Sequence, residues 1–159
     1  IAVTAAHATN PFSINQAMID WQLEQEIRLG LDTPAPYIAF AERVARHRED
    51  LVRLVRGLRK AGYNVLGYGA STKGNVLLQY CGFTEDDIQA IAEVNEEKFG
   101  RFTPGTHIPI VSEPDAWAMK PDFLLLLPWH FRDGVLKREA KLRDSGVKFI
   151  IPFPDIEIV

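Results

Sequence analysis

The chain has 159 residues, 47% of them apolar and 25% charged, and a formal net charge of −3. That is long enough to bury a core, and the mildly acidic total excludes a surface built to compensate a nucleic-acid backbone. Its single cysteine excludes an internal disulfide and an all-cysteine zinc site, and no apolar run nears the roughly 20 residues that span a bilayer. These features fit a cytoplasmic domain with neither a nucleic-acid nor a membrane partner. The chain starts at Ile1 rather than Met, which reads as a processed or excised piece.

In chain order, IAVTAA at 1–6 alternates weakly, as a strand does. Asn10-Pro11 then disfavours helix at Asn10. Residues 14–29, with Ile14, Met18, Trp21 and Leu23, predict a short helix. DTPAP at 32–36 breaks the pattern, with Asp32 or Thr33 as a cap and Pro34 near the first turn of the next helix. Residues 36–60 predict one long helix, because Tyr37, Phe40, Val44, Leu51, Leu54, Val55 and Leu58 recur at helical spacing. Its other face carries Arg43, Arg46, Arg48, Arg53, Arg56, Arg59 and Lys60, and reads as a solvated surface. Gly62 suits a left-handed cap.

Beyond residue 64 the grammar changes. Strands are expected at 64–69, 88–94, 107–112, 122–129 and 147–153, with a short last one at 156–159. Helices are expected at 72–80, 113–119 and 132–146. This alternation implies an α/β, Rossmann-like fold: a mostly parallel sheet with helices on both faces, preceded by an N-terminal helical segment. The chain divides on this reading into a lead-in over 1–36 (strand and short helix) and a Rossmann-like domain over 37–159.

In such a sheet, ligands sit beyond the carboxyl ends of the strands where strand order reverses. Gly67-Tyr68-Gly69 permits a tight turn and close backbone approach. The helix starting near Thr72 offers free N–H groups and a positive dipole end to an anion. Ser71 and Thr72 add hydroxyls, and Lys73 adds a cation. The result is a phosphate cradle, although not a standard one. The dinucleotide pattern G-x-G-x-x-G lacks its third glycine, and Lys73 precedes Gly74 instead of following it as in a P-loop. The plainer alternative is a strand-to-helix turn with Ser71 or Thr72 as an N-cap.

Glu93 closes the second strand of the alternating part, near where Rossmann-type domains keep an acid for ribose hydroxyls. The alternative is an exposed glutamate at a strand end. Trp129 and His130 follow the buried strand on the same sheet edge, placed to stack on a base or contact a sugar. Alternatively they are a packed tryptophan beneath a loop histidine. His7, His47 and His107 are scattered and suggest no metal site.

Three stretches, GYGASTKGNVLLQYCGF, EVNEEKFGRFTPGTHIPIVS and PDFLLLLPWHFRDGVLKREAKLRDSGVKFIIPFP, together resemble the C-terminal domain of S-adenosylmethionine-dependent sugar C-methyltransferases. The resemblance runs from about residue 37 to the end. It implies a larger enzyme, with a zinc-binding N-terminal domain and a central domain holding the methyl donor and the base. S-adenosylmethionine and zinc are then expected in those other parts, and no catalytic residue is expected here. The resemblance implies that this domain binds a nucleotide-diphosphate-linked keto-deoxysugar, orients it for the methyltransferase domain of the same parent chain, and is inactive alone. The family pattern G-x-G-A-S-x-K-G falls on Gly67, Gly69, Ala70, Ser71, Lys73 and Gly74, with Thr72 at its free position. The family acid, often aspartate, is Glu93, the following basic position is Lys98, and the family tryptophan is Trp129. His130 stands where asparagine is common, and Gly134 where a glutamate is often found. The competing functions are an NAD(P)-binding Rossmann domain of an oxidoreductase, opposed by the missing third glycine, and an interaction module using the arginine-rich helix.

Overall fold

A computed structural model of the protein describes residues 4–9, 11 and 13–159. The chain forms two units, residues 1–43 and 44–159. In the first unit, α1 (Gln16–Arg28) is started by Asn15, whose side-chain oxygen accepts from the Met18 amide at 3.3 Å. Gly30, at φ +69°, turns the chain just after it. None of its residues is buried, and Met18, Trp21 and Ile27 are each more than half exposed. Residues 1–3, in the strand expected at 1–6, and Asn10 lie outside the described residues, while residues 4–6 are irregular. The long helix α2 (Ala35–Lys60) begins in this unit and continues through the next.

The second unit holds a six-stranded sheet in the order β3-β2-β1-β4-β5-β6. Its strands are β1 (Val65–Tyr68), β2 (Ile91–Glu93), β3 (Ile110–Ser112), β4 (Phe123–Leu126), β5 (Lys148–Ile151) and β6 (Glu157–Ile158). All pairs are parallel except β5 with β6. Helices α3 (Thr72–Cys81), α4 (Glu113–Ala118), α5 (Arg132–Arg138) and α6 (Ala140–Asp144) connect them.

Successive strand residues point to opposite faces. Val65, Phe123, Leu125 and Ile150 pack with Leu51 and Val55 of α2 and with Leu77, Leu78 and Cys81 of α3. Leu66, Tyr68, Leu124, Leu126, Phe149 and Ile151 pack with Ala116 of α4, and Val135 and Leu142 of α5 and α6 pad their edge. With both faces covered, β1, β2 and β4 have no solvent side, which is why β1 and β4 read as continuous apolar runs.

The strands expected at 88–94, 122–129 and 147–153 are shorter, at Ile91–Glu93, Phe123–Leu126 and Lys148–Ile151, and three further local expectations change. The strand at 107–112 shrinks to three residues because His107 sits at φ +55° and the Thr103 amide donates to the Ile108 carbonyl at 2.9 Å, turning the preceding backbone. The helix at 132–146 is two helices. They break at Glu139, whose carboxylate is drawn inward to accept from the Tyr68 hydroxyl at 2.8 Å and from Arg138 Nε at 2.6 Å. The basic face of α2 is not simply solvated. Arg48 donates to the Tyr80 carbonyl at 2.6 Å, Arg56 to the Gly82 carbonyl at 3.1 Å, and Arg59 to the Asp86 carbonyl at 3.1 Å. The Tyr80 and Gly82 carbonyls lie at the C-terminal end of α3, where a helix leaves acceptors unsatisfied and favours cations, and the Asp86 carbonyl lies in the turn that follows. Among the described residues no helix is long and apolar enough to cross a membrane.

Candidate functional site

Strand order reverses at β1, which has β2 on one side and β4 on the other. The chain leaves β1 through Gly69, at φ +78°, and a β-carbon there would lie 2.8 Å from the ring of Pro128. Pro128 therefore sits against the turn at the switch point itself. On Gly74 a β-carbon would lie 2.5 Å from the Leu127 Cβ, and on Gly67 one would lie 2.9 Å from Ile91 Cγ1. Close helix-to-strand packing, the usual task of the third glycine in the dinucleotide pattern, thus falls to Gly74, two residues later than that pattern places it.

Ser71 caps α3: its backbone is extended (φ −99°, ψ 153°) and its hydroxyl accepts from the Gly74 amide at 3.0 Å. The Ser71 amide donates to the Gly69 carbonyl at 2.9 Å, and the Ala70 amide donates to Glu93 Oε2 at 2.9 Å. Among the described residues the amides of Thr72 and Lys73 have no protein partner. Those two N–H groups, at the positive end of a ten-residue helix, are what the turn offers a ligand.

Glu93 is buried, at 7% exposure. Its Oε2 accepts from the Ala70 amide and from Lys98 Nζ, the latter at 3.0 Å, and its Oε1 accepts from the amides of Val94 at 2.8 Å and Asn95 at 3.0 Å. Burial alone would raise its pKa, but the Asn95 and Val94 amides and the Lys98 ammonium outweigh burial and hold the carboxyl below its ordinary range. Lys98 also donates to the Ala70 carbonyl at 2.9 Å, so two of its three protons are engaged.

Beside this arrangement lies a cleft of about 390 Å³. Ala70, Ser71, Thr72, Asn75 and Lys98 line one part, and Thr103 and Pro104 another. The structure brings together Ala70, Ser71, Thr72 and Lys98 of the expected site residues. Gly67, Gly69 and Gly74 shape the turn beneath them, and Glu93 braces it. Lys73 is exposed on the first turn of α3 and does not line the cleft. Trp129 packs on Phe153 with ring centres 4.7 Å apart, and His130 is exposed against Phe131 at 4.3 Å, so neither lines the cleft. Asn75 and Thr103 were not anticipated. Asn75 follows Thr72 by three residues, so it shares that helix face, and the Thr-Pro-Gly sequence at 103–105 is a readable turn signal.

Cys81 is buried, and burial pushes its thiol up to about 11, so it is no reactive nucleophile. Among the described residues no three His, Cys, Asp or Glu side chains are grouped to hold a metal ion.

The sequence profile of the C-methyltransferase C-terminal domain family matches residues 1–154. The chain is also 34% identical, over all 159 residues, to the C-methyltransferase NovU of Streptomyces niveus. It spans 38% of that protein's length.

Proposed function

The chain belongs to the C-methyltransferase C-terminal domain family, and from that premise we propose that it binds a nucleotide-linked keto-deoxysugar by its diphosphate and presents the sugar to a methyltransferase domain of a longer enzyme. The observation that carries this reading is the cleft at the start of α3, which Thr72 and the partly engaged Lys98 line, beside the unpartnered amides of Thr72 and Lys73 on the first helical turn. Lys73 adds a second cation on the same turn. Donors, a helix dipole and positive charge converge there on a site for one anion. His130, exposed beyond β4, is left to meet the outer part of the ligand. The contribution of this chain to the reaction is orientation: it fixes the sugar carbon relative to groups held elsewhere.

The residues here do not fit S-adenosylmethionine. The charged residue lining the cleft is Lys98, a cation, which repels a sulfonium, and the four donors on Glu93 leave it no capacity for the ribose of that donor. The same saturation, with Pro128 against the turn, disfavours a nicotinamide dinucleotide.

Calorimetric titration of the full chain with dTDP, NADH and S-adenosylmethionine tests the reading. The expected result is dTDP binding that weakens as salt rises and is displaced by pyrophosphate. Binding of NADH more tightly than dTDP would turn the assignment to an oxidoreductase domain. Micromolar binding of S-adenosylmethionine, or no binding of dTDP, would overturn it.

A further inference from the structure

Dinucleotide-binding domains keep a carboxylate at the end of the second strand to accept from ribose hydroxyls. Glu93 occupies that place, yet its chemistry is already complete. An ionised carboxylate offers about four lone-pair sites. Ala70, Val94, Asn95 and Lys98 each donate to it, at distances between 2.8 and 3.0 Å. A ligand hydroxyl has to displace one of these donors, and three of them are backbone amides tied to the turn and the strand end. An amide left unpaired in a buried place carries a desolvation cost that a new hydroxyl contact does no more than offset.

The four contacts are also distributed with a purpose. Val94 and Asn95 continue from β2, whereas Ala70 belongs to the turn after β1. Lys98 holds Glu93 and the Ala70 carbonyl together, so one ion pair grips both the N–H and the C=O of Ala70. Ala70 is two residues from Thr72 and three from Lys73, whose amides have no protein partner among the described residues. We infer that Glu93 is a positioning residue: it fixes the Gly69–Ala70 turn, and through it the aim of the Thr72 and Lys73 amides, and touches no part of the ligand. This rests on the diphosphate reading of the cleft.

Pyrophosphate and dTDP separate positioning from contact, because pyrophosphate has no hydroxyl, sugar or base. For a brace on the phosphate cradle, Glu93→Gln weakens both probes by the same factor, roughly tenfold or more, since small misplacements of a binding group are costly. Glu93→Asp, which keeps the carboxylate, recovers part of the loss for both together. A loss for dTDP with pyrophosphate unchanged makes Glu93 a ligand contact and overturns the inference, as does no loss for either. Two measurements on amides guard against a variant that folds poorly. In the wild type saturated with dTDP, the Val94 and Asn95 amide resonances hold their positions, and their displacement would count against the brace. Hydrogen exchange at Ala70 is slow in the wild type and fast in Glu93→Gln. If neither probe binds the wild type, the diphosphate reading fails, and this exchange result still decides whether the brace exists. Fast exchange at Ala70 in both proteins refutes it.

Discussion

Leu127 occupies the space that a side chain on Gly74 would need: a β-carbon on Gly74 falls 2.5 Å from the Leu127 Cβ and 2.9 Å from Ser71 Oγ. The first turn of α3 is therefore seated directly on the end of β4, and the helix start is located by contact as well as by its cap.

Gly74→Ala should destabilise the protein although alanine favours helix by about 1 kcal/mol over glycine. The obstructing atom is joined to the backbone of a buried residue and has no flexible end to yield. The net loss expected in urea denaturation is about 1–3 kcal/mol, the usual cost of overpacking. Gly57→Ala is the control, because Gly57 lies in α2 with nothing within 4 Å of the added carbon. It should gain up to about 1 kcal/mol. A Gly74→Ala variant as stable as the wild type contradicts the packing described.

Ser71 and Lys73, neighbours on one turn, should fail in different assays. Ser71→Ala removes the oxygen that accepts from the Gly74 amide, and should lower stability by about 1 kcal/mol. Lys73→Ala should leave the melting temperature alone and cost about tenfold or more in dTDP affinity, since a charge-assisted contact contributes about 1.5–3 kcal/mol and about 1.4 kcal/mol is tenfold. That loss should shrink in high salt. Unchanged dTDP affinity in Lys73→Ala would show that the lysine plays no part.

The ionised Glu93 should give acid sensitivity of a defined sign. Its pKa in the folded protein is held down, so the unfolded chain binds its proton first as pH falls. Its contribution to stability is then complete above the unfolded glutamate value, about 4.3, and is lost as pH drops through the lower folded value. Melting temperatures of the wild type and Glu93→Gln at pH 7, 5 and 3 should therefore converge on acidification. A constant gap across that range means that the charge of Glu93 does not support the fold.

Arg56 and Asp87 form a pair at 3.0 Å, with 53% of the arginine side chain but only 11% of the aspartate side chain exposed. Arg56→Ala leaves a buried carboxylate short of a partner, and should cost about 1–3 kcal/mol. The lower end applies, because solvent screens the exposed arginine. Adding Asp87→Asn should recover part of the loss. Arg53→Ala breaks an exposed pair with Asp50 at 2.9 Å and should change stability by less than about 1 kcal/mol. Equal losses for the two arginine variants would mean that burial of Asp87 is immaterial.

Much of this architecture was legible from the chain alone, and for identifiable reasons. FLLLL and FII announce strands with no wet side, and the long helix shows its periodicity over about six turns of sequence. The cap at Ser71 and the two turn glycines obey local chemistry, so local reading finds them. What Glu93 touches is a different kind of fact. Its partner Ala70 lies 23 residues earlier, and only the pairing of β1 with β2 brings them together. The arginines of α2 read as a wet face for the same reason, since their acceptors are carbonyls around the end of α3. Asn75 and Thr103 share a cleft because the loop before β3 folds back beside α3, which no periodicity encodes.

Helix α3 is gripped at its tail as well as seated at its head. Arg48 and Arg56 reach across from α2 to the carbonyls of Tyr80 and Gly82, about 10–15 Å along the axis from the unpartnered amides of Thr72 and Lys73. A short rod pinned at both ends pivots when either pin is pulled. Variation at Arg48 should therefore register as altered ligand affinity without loss of any contact in the cleft, so that the mutational footprint of binding extends to the back of the molecule.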